Sequence, residues 1–413
     1  MGFQTIRYKL GVISVILALL FNLNTLIVNT MLSSVQYAVI FSLIYCIIFL
    51  CAWGKRCFLN NDKWLPFFII SLFFIVLSSC LNLDLHVLHF VIILEISKAI
   101  IISKLLTKYE FVEVYILTIT FMAAVSLFFY FGLMLFPALN GLSHTINNNG
   151  YILQSFYVYF RGSTEIFRNF GYLSEPGDYQ HYLNIALLLN LFVFENIKLK
   201  KIIAILLTIT IITTFSPVGL SFMVLIWAAY IISCSKKPLK STFILLVAIA
   251  VGLYIYHSSY LNYSINKLSN TETGSFYVRT IGIFSGFDAF LQNPLFGCGF
   301  TKATELMTIS FKNSGLLYNQ TSTVSAFLAF FGLPAALWFL LPYMYFFYSE
   351  IRMSFIAKFF VLSGLFFSIN NERLVWDLSY YLFVVYGFVS NKNSTLFSRL
   401  EKSSRNGAYV QPS

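Results

Sequence analysis

Charged residues are scarce in this sequence. Only 10% of its 413 residues are Asp, Glu, Lys or Arg, whereas soluble domains carry roughly 25%. Hydrophobic residues make up 58% of the chain, and no soluble fold can hide so much apolar surface. The composition therefore predicts a protein embedded in a lipid bilayer.

Several chemical signatures are also missing. The sequence has no GxxxxGK[ST], no GxGxxG between a strand and a helix, no HExxH and no DxD in a long loop, so nucleotide-driven and metal-dependent chemistry lose support. The six cysteines form no CxxC pair, which argues against a disulfide or metal role. The net charge of +11 comes from short lysine clusters without interleaved aromatics, so it does not indicate nucleic acid. We expect neither a metal nor a cofactor.

Long apolar runs are what the sequence does contain. Runs of about 20 apolar residues are long enough to cross a bilayer as helices, and polar breaks divide the chain into twelve such runs. Their approximate limits are 10–30, 34–53, 65–81, 87–106, 111–136, 179–195, 201–215, 218–234, 241–256, 321–347, 355–369 and 376–390. The sequence thus predicts an all-α, polytopic membrane domain over residues 1–390, followed by a disordered polar tail at 391–413.

Lys and Arg are concentrated in every second connection between these runs. Representative residues are Arg7, Lys55, Lys104, Lys200, Lys237 and Arg352. Because basic loops stay on the cytoplasmic side, both termini are predicted to be cytoplasmic. The two long connections, 137–178 and 257–320, then lie outside.

A charged island, RGSTEIFRNFGYLSEPGDYQ, spans Arg161 to Gln180 in the first long connection. Arg161 and Arg168 are basic residues where the topology least expects them, and a guanidinium can bind phosphate oxygens in bidentate fashion. The alternative is that either arginine pairs locally with Glu165 or Glu175 and only holds the loop together.

Three candidate bases lie at the mouth of the sixth run. Glu175 precedes a rigid Pro-Gly turn, which could fix its carboxylate near a substrate hydroxyl. Asp178 and His181 follow within two turns, and His181 is another group able to take a proton. The alternative is structural: Asp178 caps the helix, Glu175 lies near its positive end, and His181 is merely hydrogen-bonded.

The second long connection contains RTIGIFSGFDAFLQNPLFGCGF, headed by Arg279. Apolar residues at helical spacing predict an amphipathic helix at the membrane interface. The turn from Asn293 to Gly299 is rich in glycine and could bring backbone amides close to an anion. A purely structural turn is the alternative.

Two further groups of charges interrupt the apolar runs. Glu95 and Lys98 lie one turn apart in the fourth run, so we expect them to pair with each other. Glu372, Arg373 and Asp377 form a charged cap before the last run, for which a solvated turn is the simplest interpretation.

Three stretches resemble elements of bacterial O-antigen polymerases and the related O-antigen ligases. They are RNFGYLSEPGDYQHYLNIALLL, the Arg279 stretch quoted above, and NQTSTVSAFLAFFGLPAAL with its Gly-Leu break. Where the ligases carry a histidine, this chain has Asn319 and Gln320, which favours the polymerases. The Arg161-to-Gly171 spacing is one residue shorter than the Arg-x10-Gly spacing described for polymerases.

The resemblance implies a GT-C-like glycosyltransferase of the bacterial inner membrane. It would transfer a growing glycan from undecaprenyl diphosphate to another lipid-linked repeat unit at the periplasmic face. Arg161, Arg168 and Arg279 would bind the diphosphate, and Glu175, Asp178 or His181 would take the acceptor proton. The implied partners are the lipid-linked oligosaccharide, membrane lipids and a chain-length regulator protein, with no nucleic acid.

Two other functions are compatible with the sequence. An O-antigen ligase would transfer the glycan to lipid A core, and it belongs to the same superfamily. A flippase or transporter for lipid-linked oligosaccharides belongs to another class and would place polar groups or broken helices at mid-membrane. Here the ionisable groups gather in the long connections instead, and the two halves of the chain show no repeat.

Overall fold

The fold comes from a computed structural model of the chain. It describes residues 2–22, 25, 28, 32–54, 58–59, 63–148, 151–156, 159–162, 168–194, 197–234, 275–316, 322–351 and 354–389. Within these residues the chain is mostly helical, with one small antiparallel sheet. This confirms the expected all-α membrane protein. The predicted span 241–256, Glu165, the 319–320 dipeptide and the tail lie outside the described residues.

Thirteen α-helices are present in this part of the chain. They are α1 Gly2–Leu20, α2 Ser34–Gly54, α3 Trp64–Leu81, α4 Val87–Leu105, α5 Lys108–Leu135, α6 Pro176–Phe192, α7 Ile197–Thr213, α8 Pro217–Cys234, α9 Ser275–Gln292, α10 Gly299–Asn313, α11 Thr323–Glu350, α12 Phe355–Asn370 and α13 Leu378–Val389. Ten of the twelve predicted apolar runs match one of these helices to within four residues at each end.

The first predicted run, 10–30, has the wrong limits. Helix α1 starts at Gly2, so it includes the polar residues before the apolar stretch. It ends at Leu20. Asn22 ends the run: its carbonyl accepts the Thr25 backbone N–H at 3.0 Å, and its side chain donates to the Tyr182 hydroxyl at 2.8 Å. An asparagine that closes a turn in this way stops an apolar helix early.

Four helices contain segments long and apolar enough to cross a membrane. These are Gln36–Trp53, Trp64–Leu81, Lys108–Leu135 and Thr323–Glu350. Three shorter apolar segments accompany them: Pro217–Ser233, Phe355–Asn370 and Leu378–Val389. Large hydrophobic side chains such as Leu43, Phe73 and Phe359 are exposed on the outer helices, as expected for surfaces that face lipid.

Helices α6 and α13 form the centre of the bundle. Nearly every residue of each is buried, which is the pattern of a helix surrounded on all sides. Helix α13 packs mainly on α11 and α4, whereas α6 packs on α5, α7 and α8. The first turn of α6 is therefore buried among its neighbours, with the exposed Glu175 just before it.

Helix α11 is broken at Gly332, where φ is +79° and ψ is 178°. Pro334 lacks a backbone N–H, so the carbonyl of Phe330 loses its helical partner. The Ser78 hydroxyl donates to that carbonyl at 3.0 Å. The break in α11 is thus satisfied from α3, and only a glycine adopts this positive φ without strain.

The three strands lie in the first long connection, where the sequence predicted only a loop. They are β1 His144–Asn148, β2 Tyr151–Ser155 and β3 Phe160–Gly162, paired antiparallel in that order. Next to the sheet, Phe156 and Tyr159 pack against the end of α5. Phe156 and Tyr159 therefore serve packing.

Two ion pairs lie at one end of the bundle. Arg7 pairs with Glu110 at 2.7 Å, and Lys108 pairs with Glu350 at the end of α11. The start of α11 lies at the other end of this helix, where Thr323 donates to the Glu372 carbonyl. The charges around Glu372 are thus far from the basic connections of the opposite end.

Candidate functional site

The first turn of α6 is the base of the candidate site. Glu175 is in the extended conformation just before the helix, and Pro176 is its first residue. Proline suits this place because its φ is already helical and the first helical N–H needs no partner. Gly177 has no side chain, and a Cβ there would lie 2.8 Å from both Arg279 Nη2 and Glu372 Oε1. Glycine at this position therefore lets the side chains of Arg279 and Glu372 pack directly against the first turn of α6.

Arg279 and Glu372 form a buried ion pair above that turn. Nη1 of Arg279 lies 3.0 Å from Oε1 of Glu372, and the two side chains are only 14% and 3% exposed. The same Nη1 donates to the carbonyl of Asn371. Gln180 adds a longer contact, with Nε2 3.4 Å from the same Glu372 oxygen.

Two more carboxylates complete what we name the Arg279 cluster: Glu175, Asp178, Arg279 and Glu372. Asp178 is buried, and Glu175 is exposed at the mouth. Burial raises the pKa of Glu372; Arg279 opposes that rise and Glu175 adds to it. Burial alone would lower the pKa of Arg279, but Glu372, Glu175 and Asp178 together raise it. The guanidinium therefore stays charged among carboxylates that compete for it.

The loop of residues 371–377, between α12 and α13, holds Glu372 in place. The Thr323 hydroxyl donates to the Glu372 carbonyl and accepts the Leu374 N–H at 2.8 Å. Asp377 closes the loop by accepting the Ser379 N–H at 2.8 Å. Because Thr323 begins α11, the carboxylate is fixed to the helix framework and not to a mobile tip.

The sequence placed this loop in a solvated turn, and that interpretation is wrong for two of its three charges. Glu372 and Asp377 are buried, and Arg373 is exposed. Asp377 also accepts a hydrogen bond from the Tyr182 hydroxyl. Three ionisable residues within six positions, directly before an apolar run, were the signal that could have identified Glu372.

His181 lies below the Arg279 cluster, inside the bundle. Its Nδ1 is 2.8 Å from the Ser368 hydroxyl, and its Nε2 is 3.4 Å from the Tyr343 hydroxyl. Both ring nitrogens are thus paired within the helix core. The geometry gives His181 a packing and hydrogen-bonding role, and among the predicted bases it leaves Glu175 and Asp178 beside Arg279.

Arg168 binds the end of a helix. Its Nε donates to the Thr214 carbonyl at 3.0 Å and its Nη2 to the Phe215 carbonyl at 3.3 Å. The neighbouring Asn169 donates to the Thr213 hydroxyl at 2.9 Å. A cation at the C-terminal end of a helix satisfies carbonyls that lack helical partners. The Arg-Asn pair therefore fastens the first long connection to α7.

Arg161 lies in β3, opposite Gln154 of β2. Its Nε donates to Oε1 of Gln154 at 2.5 Å. This contact joins the two strands. Of the three arginines predicted to bind one diphosphate, the described contacts place Arg279 alone beside the predicted carboxylates.

The glycine-rich turn from Asn293 to Gly299 uses its amides internally. The Gly297 N–H donates to the Asn293 carbonyl at 2.8 Å, and the Cys298 N–H donates to the Ala329 carbonyl at 2.8 Å. Leu333 donates back to the Pro294 carbonyl at 2.8 Å. The turn therefore docks on the broken segment of α11 and does not offer these amides to an anion.

Comparison with protein-family models, curated proteins and solved structures finds no match. The functional conclusion therefore comes from the residues and their geometry. In the part of the chain that the structure describes, no group of three or more His, Cys, Asp or Glu could hold a metal ion. The chemistry that the Arg279 cluster itself offers is anion binding by a guanidinium and proton acceptance by carboxylates.

Proposed function

We propose that this chain is a membrane glycosyltransferase that polymerises undecaprenyl-diphosphate-linked oligosaccharide repeat units. The buried Arg279–Glu372 pair at the start of α6 is the observation that supports the proposal most. A buried charge is costly in a membrane protein and marks a functional site more often than a structural one. The resemblance to O-antigen polymerases, with twelve spans and a GT-C-like architecture, belongs to the same proposal.

Arg279 would bind the donor diphosphate. Both hydrogen bonds that it gives to described residues come from Nη1, so the donors on Nε and Nη2 can serve a phosphate oxygen. The first amides of α6 also favour a negative charge. A lipid diphosphate reaching the cluster would compete with Glu372 for the guanidinium.

The carboxylates would accept the proton of the incoming hydroxyl. The acceptor oxygen attacks the anomeric carbon of the donor sugar, and a carboxylate of Asp178 or Glu175 takes its proton. The bond from that carbon to the diphosphate oxygen breaks, and its electron pair leaves with the diphosphate beside Arg279. The leaving group is an anion already, so the reaction needs no added oxidant or reductant.

The proposed location is the inner membrane, with both termini in the cytoplasm and the Arg279 cluster facing the periplasm. This orientation follows from the alternation of basic connections. The cluster lies at the opposite end of α11 from Lys108 and Glu350, which agrees with a site away from the basic side.

A transporter of lipid-linked oligosaccharides is the second candidate, and one observation favours it. The predicted Glu95–Lys98 pair is confirmed, with Nζ 2.6 Å from Oε1 and side-chain exposures of 0% and 2%. Lys98 also lies over the ring of Tyr37, 4.8 Å from its centre. Such a pair inside the helix core is typical of ion-coupled transport as well as of structure.

Reconstitution separates these functions. Purified protein in liposomes, given lipid-linked repeat units, is expected to produce a ladder of polymers on a gel without an ion gradient. Movement of the lipid-linked units across the bilayer with no ladder would establish transport and refute polymerisation. In cells, deletion should leave surface glycan capped at one repeat unit, whereas loss of all attached glycan would indicate a ligase.

A further inference from the structure

A second feature is an aromatic cavity that is lined in part by the 371–377 loop. It has a volume of about 170 Å³ and is walled by Phe300, Phe330 and Trp376. The ring centres of Phe300 and Phe330 are 4.3 Å apart, and those of Phe300 and Trp376 are 5.3 Å apart. This volume is below that of a drug-sized pocket, so it suits a single ring.

Polar groups border the same cavity. Arg373 is exposed, and its guanidinium carbon lies 5.3 Å from the centre of the Trp376 ring. His86 also lines the cavity, and its Nδ1 accepts the Leu88 N–H at 3.2 Å. In the neutral ring Nε2 then carries the proton and can donate. Thr304 adds a hydroxyl.

Trp376 also has an unsatisfied donor. The residue is 7% exposed, and its buried indole Nε1 has no hydrogen-bond partner in the described part of the chain. A buried N–H without an acceptor costs about 1 to 3 kcal/mol. Because this nitrogen is itself buried, Trp376 contributes its ring, and not its N–H, to the cavity wall.

The cavity and the Arg279 cluster share one loop. Glu372 of the cluster is followed directly by Arg373 of the cavity, and Ala326 in the cavity wall lies one turn after Thr323, which holds the Glu372 carbonyl. The cavity wall and the ion pair are therefore built on the same loop and on the same turn of helix α11.

We propose that this cavity binds one sugar ring of the glycan, adjacent to the sugar that reacts at the Arg279 cluster. A pyranose has an apolar C–H face that packs on aromatic rings and an edge of hydroxyl or carboxyl groups that Arg373, His86 and Thr304 can bind. Assigning the ring to a glycan rests on the proposed function. The basic rim favours a sugar that carries an acidic group.

Binding can be measured without the transfer reaction. The probe is the water-soluble oligosaccharide released from the host's lipid-linked repeat unit, added to the purified full chain in nanodiscs and followed by saturation-transfer NMR. Arg373→Ala is expected to weaken binding about tenfold, the loss of one charge-assisted contact. Trp376→Phe, which replaces the indole with a smaller aromatic ring in the wall, should weaken it less. Lys302→Ala is the matched control, because Lys302 is exposed on α10 outside the cavity.

The outcomes separate the two proposals. Suppose that oligosaccharide binding falls in both cavity variants but the wild-type protein makes no polymer. That result would support the sugar site and refute the polymerase. A polymer ladder with oligosaccharide binding equal in wild type, Arg373→Ala and Trp376→Phe would refute the sugar site alone. Absence of any binding to the wild-type chain would refute the sugar site too. Thermal unfolding of each variant verifies that it is folded.

Discussion

Arg168 and Arg279 make an instructive comparison. Each lies in a predicted external connection, and each precedes a glycine-containing turn in an otherwise apolar chain. In the structure, Arg168 donates to two carbonyls at the end of α7, whereas Arg279 pairs with Glu372. The first arginine satisfies a helix end, and the second balances buried carboxylates. Scarcity of charge thus draws attention to both arginines, but only their partners distinguish a contact with a helix end from an ion pair among carboxylates.

Replacing Arg279 should have the largest effect. Arg279→Ala is expected to lower the polymerisation rate by about 10²- to 10³-fold, as for loss of a group that stabilises developing charge. It also leaves Glu372 buried and unpaired, at a cost of about 3 to 5 kcal/mol in stability. Initial rates in liposomes, normalised to folded protein, measure the first effect. A rate within twofold of wild type would remove Arg279 from the site, and Lys302→Ala controls for the loss of one positive charge.

Changing Glu372 should alter the pH dependence. Its pKa lies above the ordinary 4.5, so the folded protein holds this proton more tightly than the unfolded chain. Stability therefore falls as pH rises from 4.5 through the raised pKa. Glu372→Gln is expected to reduce that slope; burial also raises the pKa of Asp178, which keeps the remainder. It should lower the polymerisation rate by about 10- to 100-fold, because Arg279 loses the partner that positions it. Thermal unfolding between pH 4 and 7 tests the slope, and an unchanged slope would assign it to another group.

Replacing Arg168 should affect stability and not catalysis. Arg168→Ala removes hydrogen bonds to the Thr214 and Phe215 carbonyls and is expected to cost about 1.5 to 3 kcal/mol. The polymerisation rate per folded molecule should stay within about twofold. A rate loss comparable to that of Arg279→Ala, in protein that remains folded, would contradict the structural role and return Arg168 to the diphosphate.

Replacing Arg161 should have the smallest effect. Its contact with Gln154 joins two short strands, and one such hydrogen bond contributes about 0.5 to 1.5 kcal/mol. Arg161→Ala is therefore expected to lower the melting temperature slightly and to leave the rate unchanged. Gln154→Ala, which removes the same bond from the other strand, is the comparison variant. A rate loss in Arg161→Ala alone would show that Arg161 contacts the substrate.

The helices could be predicted because each depends on its own segment. Apolar length and polar breaks set their limits, and the 95–98 spacing was enough to pair Glu95 with Lys98. The break at Gly332 was visible as a Gly-Leu-Pro sequence. By contrast, the side chain of Asn22, just after α1, donates to Tyr182 across 160 positions. Such a contact leaves no trace in the local pattern.

The site was predictable only in part for the same reason. Glu175 and Asp178 were identified at the mouth of the sixth apolar run and Arg279 at the head of an amphipathic segment, and the structure places them in one cluster. Glu372, which pairs with Arg279 across 93 positions, was assigned to solvent. A single sequence shows where charge is unexpected, but it does not show which two charges meet.

The break in α11 has a consequence for protein engineering. The Ala329 carbonyl accepts the Cys298 amide, and Leu333 donates to the Pro294 carbonyl, so residues 275–316 are docked on a particular irregular segment of a membrane helix. This connection is therefore not an exchangeable module. A chimera that swaps it with a related protein must also swap the first half of α11 through Pro334, whereas a swap of the connection alone would leave both surfaces without their partners.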